Sequence, residues 1–91
     1  MSKAIQNDQG RFYIGDQGKP DAHLDFEEHG DTMKILSTVV APSERENGLG
    51  SDLVDHAVNY ARENKLVIEP VCSFAHEVIK DTPEYHVVWK K

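Results

Sequence analysis

The sequence predicts an α+β domain: a curved, mostly antiparallel sheet, one parallel strand–helix–strand crossover and a short C-terminal helix. Three observations carry that reading. From Ala22 to Glu27, apolar and polar residues alternate with a period of two, as on a strand with one wet face. From Gly50 to about Asn64 the period lengthens, with Leu53, Ala57 and Ala61 at i, i+4 and i+8 beside Val54 and Val58, which is one apolar helical stripe. Between the two lies VVAPSERENGLG, residues 39 to 50, where a strand-like run passes through a proline and two glycines into the helix.

Taken in order, residues 1–10 are polar and read as a flexible arm, leaving 11–91 as a single domain. Arg11 to Ile14 is a short β-type run closed by the turn cluster Gly15-Asp16-Gln17-Gly18. Ala22 to Glu27 is the next strand, and Glu28-His29-Gly30-Asp31 a hairpin turn. Residues 32–40, TMKILSTVV, place apolar side chains on both parities, which predicts a strand covered on both faces. After the helix, Leu66 to Cys72 forms a strand whose Pro70 implies a bulge or a splayed edge. Ser73 is placed to cap a second helix with Phe74, Val78 and Ile79 facing the core, and Tyr85 to Trp89 reads as a last short strand. The crossover from 32 to 72 is expected to be right-handed.

Composition narrows the function classes. A 91-residue chain buries roughly 60–65% of its unfolded surface, enough for one core. A net charge of −6 argues against a nucleic-acid binder, which needs a basic stripe, and is compatible with a cationic amine substrate. Acidic surfaces also simply keep cytosolic proteins in solution. The single Cys72 permits no intrachain disulfide and no paired-cysteine zinc site. No apolar run approaches the ~18 residues of a membrane span, and MSKAIQNDQG lacks a signal-peptide core, so a cytoplasmic location is expected.

A turn that leaves a strand and opens a helix presents unpaired N–H groups, and the helix dipole adds partial positive charge there. Such turns bind anions, usually phosphate. Gly48 and Gly50 would let the backbone approach a ligand; an ordinary ligand-free turn uses glycine in the same way. The segment lacks the ending of a P-loop and the third glycine of a dinucleotide motif. What it carries is V-x-P-x-x-R-x-x-G-x-G, as Val40, Pro42, Arg45, Gly48 and Gly50. That pattern resembles the acetyl-CoA-binding motif of the GNAT superfamily of N-acetyltransferases. Residues 66–85 and the FYIGD start resemble a small stand-alone GNAT-like subfamily, so the likeness covers roughly residues 11–86.

The resemblance implies a GNAT-like fold and a cosubstrate, acetyl-CoA or CoA. Its pyrophosphate would lie on the turn of Arg45, Glu46, Asn47, Gly48, Leu49, Gly50 and Ser51, and its pantetheine arm would bond the main chain of Val39 and Val40. Arg45 would contact phosphate or else pair with Glu44 or Glu46. Cys72 would lie near the acetyl group as nucleophile or acid, or else serve as a buried structural cysteine. Tyr85 would close the cosubstrate site or pack the core. Ser37 stands where related sequences carry a histidine, and a serine is no general base without an activating partner. The resemblance also implies a missing acceptor wall, because the early helices of larger members have no counterpart here. The leading expectation is an N-acetyltransferase acting on a small-molecule or protein amine, with Cys72 and Ser37 as catalytic candidates and no metal. The alternatives are a non-catalytic CoA-binding module and a ligand-free protein-interaction domain.

Overall fold

The computed structural model describes residues 4–16 and 18–90, the side chains of Arg45 and Glu46 excepted. Five strands form one sheet in sequential order: β1 (Ile5–Asp8), β2 (Arg11–Asp16), β3 (Lys19–His29), β4 (Thr32–Val40) and β5 (Val67–Pro70). The first four pair antiparallel, and β5 runs parallel to β4. Helix α1 (Leu49–Glu63) makes the crossover, and α2 (Ser73–Asp81) follows β5. The predicted α+β class and its parallel crossover are therefore present.

One apolar cluster joins the sheet to both helices. Phe12, Leu24, Met33 and Ile35 from the strands, Leu53, Val54, Ala57 and Ala61 from α1, and Ala75 and Ile79 from α2 are all shut off from solvent. The helical stripe read from the sequence is thus the face that α1 buries. The opposite sheet face carries Arg11, Tyr13, His23, Asp25 and Ser37, and no described element covers it.

That open face corrects the expectation that β4 is covered on both sides. Asp25 pairs with Ser37, but Phe26 pairs with Ile35, so Leu36 is an extra residue on β4. This β-bulge reverses which parity faces inward. Before it Met33 and Ile35 point to the core; after it the even positions do, because Thr38 and Val40 pair with the buried Leu24 and Ala22. Leu36 itself is 40% exposed and Val39 48% exposed. Apolar residues on both parities record the bulge, not a second layer of cover.

Three further expectations are corrected. The polar arm contains β1, whose ladder to β2 needs main-chain groups and not apolar side chains; residues 1–3 lie outside the described residues. Cys72, not Ser73, is the N-cap of α2, and Phe74 is 42% exposed while Ala75 faces the core. The final strand is a 3₁₀ turn, Pro83–Val88, and only Trp89 bridges to Ile68.

That turn folds back across α1. The Tyr85 hydroxyl donates to Asp55 Oδ1 at 2.7 Å, so Tyr85 clasps the helix and packs against the core. Burial, then the Asp55 carboxylate, push the phenol up to about 12 from its ordinary 10.0. A raised phenol favours the folded state while the unfolded phenol keeps its proton, and this advantage disappears as the folded phenol ionises. Tyr85→Phe is expected to cost about 1 kcal/mol at neutral pH. In thermal melts across pH, the gap to wild type should stay constant below pH 10 and shrink between pH 10 and about 12.

Candidate functional site

The site arises where β5 leaves β4. Their ladder ends at the pair Ile35 and Pro70. Proline has no N–H to extend a ladder, and the chain bends directly after it. Val71 and Cys72 both donate their N–H groups to the Ile35 carbonyl at 3.0 Å, and α2 begins. Beyond Ile35, the β4 edge on that side has no strand partner among the described residues. The gap is a cleft of about 490 Å³ lined by Thr38, Val39, Val40, Gly48, Gly50, Ser51 and Phe74.

The glycine turn closes one end. A 3₁₀ turn, Pro42–Asn47, ends at Gly48, whose φ of 70° is left-handed, and Gly48 is also the N-cap of α1. Among the described residues no side chain caps this helix. Asp52 N–H donates to Gly48 O at 3.0 Å, so the N–H groups of Leu49, Gly50 and Ser51 precede the helical ladder. Asn47 Nδ2 donates to Glu44 Oε2 and braces the turn. Leu49 is buried and anchors it, while Ser51 is exposed.

The two glycines answer to different constraints. A Cβ on Gly48 would meet nothing within 4 Å, so its backbone conformation is what calls for glycine. A Cβ on Gly50 would lie 2.9 and 3.0 Å from ring carbons of Phe74 and 3.4 Å from Val40 Cγ2. Glycine there lets α1, α2 and β4 meet at the cleft.

Most of the sequence candidates converge. Val39, Val40, Gly48, Gly50 and Ser51 line the cleft, and Asn47 and Leu49 build the turn beside it. The side-chain expectations for Arg45 and Glu46 lie outside the described residues. Cys72 is half-buried next to the cleft, and its thiol donates to Thr38 Oγ1 at 3.6 Å. Ser37 is not brought to Cys72. Its hydroxyl donates to Asp25 Oδ2 at 3.3 Å on the helix-free face, where Arg11 also grips Asp25 at 2.6 and 3.2 Å. Partial burial works against the Asp25 carboxylate, but the hydrogen bond and charge of Arg11, with His23 and Ser37, hold it below its ordinary value. His76 stands edge-on to Trp89 at 5.7 Å, and Tyr85 belongs to the α1 contact. Among the described residues no group of three or more histidines, cysteines or carboxylates is placed to hold a metal ion.

Sequence reasoning missed Thr38 and Phe74. The signal for Thr38 was the mixed parity of residues 32–40, which marks a bulge that turns position 38 inward. No comparable signal existed for Phe74, whose apolar character suggested the core.

The family model described as GCN5-related N-acetyl-transferase matches residues 11–88, which span the sheet, the turn and both helices. The chain belongs to that family. GNAT structures repeat the architecture. The solution structure of a GCN5-like protein from Staphylococcus aureus, an N-acetyltransferase candidate, is 30% identical, with a TM-score of 0.81 over 99% of this chain and 91% of its own. The crystal structure of the ribosomal-protein-S18-alanine N-acetyltransferase from Escherichia coli shares the fold at 20% identity and a TM-score of 0.60, over 66% of this chain and 39% of its own. No curated protein matches the chain.

The difference between the glycines is measurable. Gly50→Val should lower stability in urea by about 1–3 kcal/mol through overpacking, and Phe74→Ala in the same chain should recover most of it. Gly48→Ala should cost about 1 kcal/mol through its positive φ, and Phe74→Ala should leave that cost unchanged.

Proposed function

We propose that the protein is an N-acetyltransferase that moves an acetyl group from acetyl-CoA to an amine. The observation that carries this reading is the coincidence of three features in one place. The unpaired edge of β4, the uncapped start of α1 and the two glycines all face the same cleft. The residues fit the cosubstrate part by part. The N–H groups of Leu49, Gly50 and Ser51, with the dipole of α1, suit a pyrophosphate. Arg45, Glu46 and Asn47 complete that turn, with Arg45 assigned to phosphate. Main-chain groups of Val39 and Val40 suit the amides of the pantetheine arm, and Phe74 offers it an apolar wall.

Acetyl-CoA supplies a thioester carbonyl, and the chain supplies its surroundings. Thr38 lines the cleft, and Cys72 stands beside it in contact with Thr38. The Cys72 thiol, held by Thr38, is placed to give a proton to a departing thiolate. The acceptor amine must lose a proton before it attacks, and the uncovered sheet face leaves room for a small molecule or a protein side chain. No helix among the described residues is long and apolar enough to cross a membrane, and a cytoplasmic setting belongs to this reading.

Ser51→Glu tests it. A carboxylate in the first turn favours the helix, so the melting temperature should hold or rise. The same charge repels phosphate. Calorimetry with acetyl-CoA should give wild-type binding and a dissociation constant at least ten-fold weaker in the variant. A folded wild type that binds no acetyl-CoA would refute the proposal.

A further inference from the structure

Acetyl transfer needs a group to take a proton from the acceptor ammonium, and none of the described residues lining the cleft can do so. Thr38 and Ser51 are hydroxyls, Phe74 and the valines are apolar, and Ser37 is turned away to Asp25. The helix-free face holds what the cleft lacks. Two cross-strand rows run over it side by side: Arg11, Asp25 and Ser37 in one, Tyr13, His23 and Val39 in the other. Val39 also lines the cleft. His23 therefore stands one strand back from the cleft, a spacing of about 5 Å, on the side left open to an acceptor.

We propose that His23 is the base that deprotonates the acceptor amine, with Asp25 as its positioning residue. The inference rests on the acetyl-CoA reading above. His23 Nδ1 is buried and has no hydrogen-bond partner among the described residues, and Asp25 Oδ2 lies 3.6 Å away, within ion-pair range. A carboxylate on the Nδ1 side favours the tautomer with its proton there and leaves Nε2 as the accepting nitrogen. Arg11 and Ser37 fix the carboxylate from the next row. A contact of this length shortens when the imidazole gains charge.

The step balances. The ammonium gives one proton to His23 Nε2, directly or through one water, and the imidazolium pairs with Asp25. The freed nitrogen lone pair forms a bond to the thioester carbon. The carbon–sulfur bond breaks, and its electron pair leaves on sulfur. That thiolate takes the Cys72 proton and Cys72 regains one from the nitrogen, giving an amide and a free thiol, and His23 returns its proton to solvent. The ionisable groups around His23 are Tyr13 and Arg11 on β2 and Asp21 and Asp25 on its own strand, while Ser37 and Val39 on β4 carry no charge.

The test is NMR of the His23 ring, assigned by comparison with His23→Gln, under saturating acetyl-CoA and under CoA. The amides of Gly50 and Ser51 should shift with both ligands, and the His23 ring should shift more with acetyl-CoA than with CoA. A ring unmoved while those amides shift overturns the inference and leaves the cosubstrate reading intact. If neither set moves, both fall. The measurement needs no acceptor. With n-butylamine as acceptor, His23→Gln should lose at least 100-fold in kcat, keep the acetyl-CoA dissociation constant, and lose the fall in rate on acidification that wild type and His29→Gln display. A His23→Gln rate within two-fold of wild type overturns the proposal.

Discussion

The structure turns on a missing backbone pairing. Parallel strands ordinarily exchange hydrogen bonds along their length, and an unpaired strand edge in a buried place is costly. Here β5 runs beside β4 for only four residue pairs before Pro70 removes a donor and the chain swings into α2. The energetic shortfall is the site itself, because main-chain groups of β4 that lack a neighbouring strand are available to a ligand shaped like one. The carbonyl of Ile35 marks the fork, since it takes the N–H groups of Val71 and Cys72, the two residues that follow β5.

The bulge at Leu36 is the second constraint, and it acts on side chains. Without it β4 would keep one parity, and Ser37 would point where Thr38 now meets Cys72. One inserted residue sends the threonine to the thiol and the serine to Asp25. Fork and bulge are adjacent in the strand, so the backbone opens and the side chains change sides within a few residues.

Much of this was legible in the sequence for physical reasons. The α1 stripe was clear because alanines at 57 and 61 leave little doubt about which face lies on a sheet. The turn was clear because Gly48 and Gly50 meet demands that side chains cannot. Pro70 announced the fork. Other features left weaker marks. A ladder such as Ile5–Asp8 with Arg11–Ile14 is held by the main chain, so a polar sequence does not betray it. A bulge leaves only a lapse in alternation, which looks the same as two-sided burial. The turn at Pro83–Val88 carries strand-like residues, and docking of Tyr85 on Asp55 decides its conformation, a contact between residues thirty positions apart.

The single-layered cover of the sheet has a further consequence, for how such a chain can change over generations. Side chains facing the helices are locked together, and replacing one disturbs the packing of many. Those on the bare face answer only to their cross-strand neighbours and to whatever molecule arrives. Substitutions there carry a small folding penalty, so a lineage can alter what it recognises on one surface while the opposite surface keeps the fold. A thin protein of this kind holds its inheritance on one side and its adaptability on the other.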